Sequence, residues 1–262
     1  MTMDTKERSV RSLVALFSIW ISASSAFGQS FQVEDNGLLR LPKMAENTHL
    51  EQLSIGRGGK LLVPASIMQL AVDDLDMAEN ARISIAPRES QFVLTLKNVS
   101  LADGSVLAAV GMHGDFGVPG GRGTDVKVVI EAGEVANLVI DVSGGKGGDG
   151  WAGAAGNDGK NAACWGLGSS SGTNGGNGSN GMPGGDGGNI ELSLVQPQWL
   201  EVIDVRQQGG SGGQAGAAGA AGKGGHSASC WLYSLGDSAQ DGQHGLQGQA
   251  AVAGSSGLLT VS

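Results

Sequence analysis

Between residues 144 and 159 the chain places a glycine at every third position: Gly144, Gly147, Gly150, Gly153, Gly156 and Gly159. Glycine loses more backbone freedom on ordering than any other residue, so a strict ladder of it needs a structural reason. The spacing recurs in an earlier ladder, Gly111, Gly114, Gly117, Gly120 and Gly123. It recurs again at Gly172, Gly175, Gly178, Gly181, Gly184 and Gly187, and at Gly210, Gly213, Gly216, Gly219, Gly222 and Gly225. A fifth ladder comprises Gly242, Gly245, Gly248, Gly254 and Gly257, with Ala251 filling the missing step. Of the 47 glycines, 41 lie after residue 110, so the composition changes sharply there. A disordered linker does not keep a strict period. A collagen triple helix keeps this one but needs abundant proline, and the chain has six.

A three-residue screw with glycine always on one side is the polyproline-II conformation, built here mainly from glycine. It makes no internal hydrogen bonds, so its backbone groups need partners on neighbouring segments once buried. The expected fold is therefore mainly β plus polyglycine-II. In it, a bundle of about five polyglycine-II helices carries its glycines at the contact positions. The alanine-rich fourth ladder suits its interior, and the third, "TNGGNGSNGMPGGDG", an outer face. The connections alternate in kind. "TDVKVVIEAGEVANLVIDVS" and "NIELSLVQPQWLEVIDVRQQ" read as β-hairpins at one end. "KNAACWGLGSSS" and "HSASCWLYSLGDSAQD" read as loops at the other. Upstream, residues 50–110 hold short alternating stretches such as "ARISIAP" and "QFVLTLKNVSL", expected as a short β-solenoid or a sandwich. The expected organisation is 1–28 signal peptide, 29–49 tether or cap, 50–110 β-rich domain, and 111–262 glycine-rich region.

Residues 1–28 have the form of an export signal: basic residues Lys6, Arg8 and Arg11, an apolar core from Leu13 to about Ala23, and Ala26 and Gly28 at the small cleavage positions. Cleavage after Gly28 takes the formal net charge from −9 to −10, because that segment carries three basic and two acidic side chains. An acidic chain is a poor partner for nucleic acid, and no further stretch is long and apolar enough for an integral membrane segment. The expected location is outside the cytoplasm: extracellular, on the cell surface or periplasmic. Two cysteines, Cys164 and Cys230, are expected to form one disulfide in an oxidising compartment.

The chemistry-bearing patterns point away from catalysis. No nucleophile comes with a base and an orienting partner, and no Gly-x-x-x-x-Gly-Lys-Ser/Thr phosphate loop occurs. The acidic stretch "VDDLDMAEN" misses calcium-loop spacing and reads as a solvated turn. His49, His113, His226 and His244 show no metal-ligand spacing. No metal, cofactor or enzymatic activity is expected. Aromatic residues are scarce, yet Trp165, Trp231 and Tyr233 sit in the two cysteine loops beside Leu167, Leu232 and Leu235. Aromatics gathered at a tip suit recognition of a surface glycan or a protein receptor. They also suit a cap that seals the disulfide. Trp151 and Trp199 are expected as packing residues.

At the ladders, over about 111–257, the chain resembles polyglycine-II bundle proteins: the glycine-rich arthropod antifreeze family and phage tail-fibre adhesins with glycine-rich tips. Exported collagen-like glycine-rich bacterial surface proteins are similar in context. The resemblance implies a fold more than a function. The expected function is an exported, non-enzymatic binding or adhesion module. The alternatives are a structural envelope or matrix protein and, behind it, an ice-binding protein. The oligomeric state is left open.

Overall fold

The structure, a computed structural model, describes residues 29–166, 168–235 and 237–262. The export signal at 1–28 lies outside the described residues, as does Leu167. Leu235 is described in its backbone alone.

The residues after 28 begin at once to coil. The first sheet contains β1 (Gln29–Val33), β3 (Asn47–Ile55), β5 (Gln69–Met77), β7 (Phe92–Leu101), β9 (Val126–Val135), β11 (Ile190–Leu194) and β15 (Leu259–Val261), in that order. The second contains β2 (Leu38–Arg40), β4 (Lys60–Val63), β6 (Arg82–Ile85), β8 (Ser105–Ala108), β10 (Leu138–Asp141) and β12 (Ile203–Arg206). Every pairing in both sheets is parallel. The chain thus alternates between two sheets and climbs one strand per coil in each.

The early coils repeat closely: Gln52 pairs with Asp74 and Asp74 with Asn98. Inward positions stack as Leu53, Leu75 and Val99, or Ile55, Met77 and Leu101, all buried. At Glu51–Gln52, Asp73–Asp74 and Lys97–Asn98 two successive residues face outward, and the strand turns a corner there. Asp73, Asp74 and Asp76, expected in a solvated turn, therefore lie on β5. The passage from the first sheet to the second repeats a left-handed residue, Asn36 (φ 54°), Gly58 (φ 63°), Asn80 (φ 57°) and Gly104 (φ 72°). Asn and Gly tolerate that region at least cost.

The passage from the second sheet back to the first is where the molecule changes. It takes residues 41–46, 64–68 and 86–91 in the early coils, then 109–125, 142–189 and 207–258. These last three passages are arms: the chain runs out, turns and returns. In the second arm the outgoing run 142–162 and the returning run 170–189 are bonded antiparallel, as in Gly176 N–H to Ala154 C=O at 2.7 Å and Ser179 N–H to Trp151 C=O at 2.9 Å. The third arm stacks on the second in the same direction. Gly147, Gly150, Gly153 and Gly156 donate to the carbonyls of Ser211, Gln214, Ala217 and Ala220, and Gly175, Gly178 and Gly181 to those of Gln243, Leu246 and Gln249. A Cβ on Gly216 would run into the Trp151 carbonyl, and one on Gly153 into that of Gly176. The ladder glycines in these arms are places where one backbone lies against another.

Two parts of the expected fold are corrected. First, the described residues contain 13 strands in two parallel sheets and no bundle of helices; apart from two two-residue strands at the far end of the third arm, the arms carry neither a helix nor a strand pattern, and the one helical turn is the 3-10 segment Pro197–Val202. The five-helix polyglycine-II bundle is therefore replaced by extensions of successive coils. Second, the two expected hairpins do not exist. β9 and β10 go to different sheets, as do β11 and β12; β9, β10 and β11 each pair with strands of the coils before and after, and β12 pairs with β10 at the edge of its sheet. The physical reason is that the inward faces of each pair continue two apolar columns already begun upstream, among them Val128 over Leu94 and Ile140 over Leu107. The two-sheet arrangement is also not confined to 50–110: it begins at Gln29 and extends to Val261.

Candidate binding tip

The far ends of the second and third arms form the site. The outgoing run 142–162 is 21 residues long, so the tip stands at most about 70 Å from the sheets. At that end Ala162 N–H donates to the His226 carbonyl at 2.9 Å, and His226 N–H to Asn161 Oδ1 at 2.9 Å, which holds the arms in register up to their turns. The Cys164–Cys230 disulfide, with Cα atoms 5.8 Å apart, then ties one turn to the other. Ser169 Oγ donates to the Asp237 carbonyl at 2.7 Å and adds a second tie.

Each turn pushes an indole outward. In the second arm, Gly166 N–H bonds to the Ala163 carbonyl at 2.9 Å, closing a four-residue turn with Trp165 in third place at φ 75°. That place in such a turn normally demands glycine, and a bulky residue there carries strain of about 1–3 kcal/mol. In the third arm, β13 (Ala228–Ser229) pairs antiparallel with β14 (Ser234–Leu235). Cys230 and Tyr233 exchange backbone hydrogen bonds, leaving Trp231 and Leu232 as the two residues of the turn. Trp165 is 95% exposed and Trp231 96%, with Leu232 at 80% and Tyr233 at 45%. Cys164 is itself exposed, so neither indole covers the disulfide. Of the six residues expected at the tip, Trp165, Trp231, Leu232 and Tyr233 are found there. Leu167 and the side chain of Leu235 lie outside what is described.

Polar side chains also hold the stacked arms together. Several Asn and Asp side chains of the arms accept backbone N–H groups of the arm stacked above. Asn174, Asn177, Asn180 and Asp186 each cap one residue of the run 239–258, at 2.6–2.8 Å. Asp149 accepts from Gln214 N–H and pairs with Lys146, and together these hold its carboxyl below the ordinary aspartate range. Sequence reasoning missed this role, whose signal is Asn recurring three apart in "TNGGNGSN". On the coiled body His49 and Lys97 flank Asp73 across three coils and lower its pKa. Among the described residues no group of three or more His, Cys, Asp or Glu side chains could hold a metal ion, and no helix is long and apolar enough to cross a membrane.

Of the two tryptophans expected to pack, Trp199 is buried in the core. Trp151 is 61% exposed and instead stacks on Phe116 at the turn of the short first arm, ring centroids 4.8 Å apart. The fourth ladder is also less interior than its alanines suggest: Gly210, Gly213, Gly216, Gly219, Gly222 and Gly225 are buried, while Ala217, Ala218 and Ala220 face solvent.

No family model, no curated protein and no solved structure matches the chain, so the resemblance to glycine-rich bundle proteins rests on the ladders alone.

Proposed function

We propose that this protein is an exported, non-enzymatic binding module, adhesive at a cell surface or acting in the periplasm, which makes contact through its disulfide-tied tip. The observation that carries the reading is the almost complete exposure of Trp165 and Trp231 at the ends of the longest arms, beside a disulfide they leave uncovered. A cap would bury its indoles against what it seals. The left-handed Trp165 supports the same reading, because a bulky residue held in a glycine conformation marks a site where a requirement other than stability sets the residue. The leader pattern and the disulfide support export. Contact through large rigid aromatics fits a surface target better than an enclosed small molecule.

The test is a Trp165→Ser/Trp231→Ser double variant, assayed for binding to a panel of cell surfaces beside the unaltered protein. The expected result is lost binding with an unchanged melting temperature. A fall in melting temperature of several degrees with binding retained would assign the indoles to a structural cap instead.

A further inference from the structure

We infer that the partner of the tip is a lipid surface: Trp165, Trp231 and Leu232 enter the interfacial zone of a bilayer. The inference rests on the reading of the tip as the contact point and names its target.

Three observations carry it. The apex of each turn is apolar and bare. Trp231 and Leu232 are the whole of a two-residue turn, and Trp165 stands at the corner of the other. The charged groups Lys160, Lys223, Asp158, Asp237 and Asp241 come before or after these turns along the chain rather than within them. Apolar matter foremost and charge behind it match the order of acyl boundary and headgroups met by an inserting segment.

Second, apart from the indole N–H groups, the apex residues Trp165, Trp231 and Leu232 offer a sugar no side-chain hydrogen-bonding group. A sugar ring stacks on an indole, but its hydroxyls need aimed side-chain partners. Of the polar side chains farther back, Asn161 Oδ1 accepts from His226 N–H and Ser169 Oγ donates to the Asp237 carbonyl. Two surface hollows lie on the coiled body, one beside Arg40, Pro42 and Pro64 and one beside Leu62 and Ile85. Indoles at a bilayer interface need no directional partner.

Third, the two turns are tied to each other before any contact. The disulfide and the Ser169 bond join them, so insertion need not bring the indole-bearing turns together. The charges behind the tip are of mixed sign, Lys160 and Lys223 against Asp158, Asp237 and Asp241. Binding is therefore driven by apolar insertion and does not depend on anionic lipid or low salt.

The experiment uses the chain from residue 29 onward, without the leader and its Trp20, disulfide intact, in a Trp151→Phe background so that the exposed fluorescence belongs to the tip. It is mixed with vesicles of phosphatidylcholine alone or with added phosphatidylglycerol. The expected result is a blue shift, quenching by lipid doxyl-labelled near the glycerol backbone, and similar binding to both vesicles at low and high salt. The Trp231→Ala/Leu232→Ser variant, folded by circular dichroism, should bind about tenfold more weakly. Vesicle binding that this variant leaves unchanged would overturn the inference. So would failure to bind vesicles while tryptophan-dependent binding to glycans or to a protein receptor persists, which keeps the tip as the contact point and replaces lipid. Failure of the folded protein to bind vesicles, glycans and receptor-bearing cells alike would overturn the inference and the binding reading together.

Discussion

The coiled body and the arms are stacked by the same parallel climb, yet they fill their interiors in opposite ways. In the body two sheets face each other across buried side chains, with Leu53, Leu75, Phe92 and Ile130 among the least exposed residues of the chain. The space between the sheets is taken up by hydrocarbon. In the arms the runs lie so close that no side chain fits between them, and carbonyl oxygens stand where a Cβ would be. One region replaces water with apolar contacts, the other with backbone hydrogen bonds, each of which contributes only about 0.5–1.5 kcal/mol net. The arms must therefore repeat their bonds many times and carry a disulfide at the end farthest from the core.

The same contrast explains where glycine is required. Gly145 and Gly148 lie under the first arm, and a Cβ on either would run into the carbonyls of Met112 and Asp115. Three residues on, past the turn of that arm, the same register holds Trp151, then Ala154 and Asn157. Where the covering arm ends, the glycines end. The amides left uncovered at Trp151 and Asn157 accept a substitute, bonding to the hydroxyls of Ser179 and Thr173 at 2.7 Å.

The hardest test of this contrast sets Gly216→Val against Leu53→Ala. The valine would drive its side chain into the Trp151 carbonyl between three runs that cannot part without losing their bonds. It should cost about 4 kcal/mol or more, or prevent folding of the arms. The leucine truncation should cost about 2–5 kcal/mol and leave the arms in place. Denaturation with separate probes on body and arms distinguishes them, and a Gly216→Val protein that melts normally would sink the close-packing account.

A smaller effect asks whether cover decides the residue. Gly148→Ala, beneath the first arm, should cost about 1–3 kcal/mol. Ala154→Gly, in the same register but uncovered, should cost less than about 1 kcal/mol through backbone entropy alone. Equal losses at the two positions in thermal denaturation would mean that cover is irrelevant. The smallest effect belongs to the side-chain caps. Asn180 Oδ1 accepts Gln249 N–H at 2.8 Å in an exposed setting, so Asn180→Ala should cost about 1 kcal/mol or less. Its signature should be local: faster amide exchange at Gln249 with the body unaffected.

Much of this architecture is legible in the sequence. The period of three means close approach of backbones, because little else justifies the entropy of glycine at so many regular places. The disulfide follows from there being two cysteines, and the strands from alternation such as that of Val126, Val128 and Ile130. A subtler signal is the repeat "DNG", "RGG", "ENA", "DGS" at residues 35–37, 57–59, 79–81 and 103–105, which marks one corner of successive coils through its left-handed middle residue.

Pairing is another matter. Residues 126–135 and 138–141 sit side by side in sequence with a short link, the pattern of a hairpin, and a hairpin is the local solution. Whether these strands pair with each other or with strands up to 65 residues away depends on which arrangement buries both apolar faces. That is settled only when the earlier coils are present to offer two parallel edges in register. The places where backbones must touch, and the residues that lie inward, are written in the chain itself. Which run touches which is set by the folded whole, because parallel stacking depends on long-range partners that no local stretch of sequence contains. The same holds for the tip: its aromatic content is plain in the sequence, but its bareness depends on four runs ending together with no other described residue folded over the indoles.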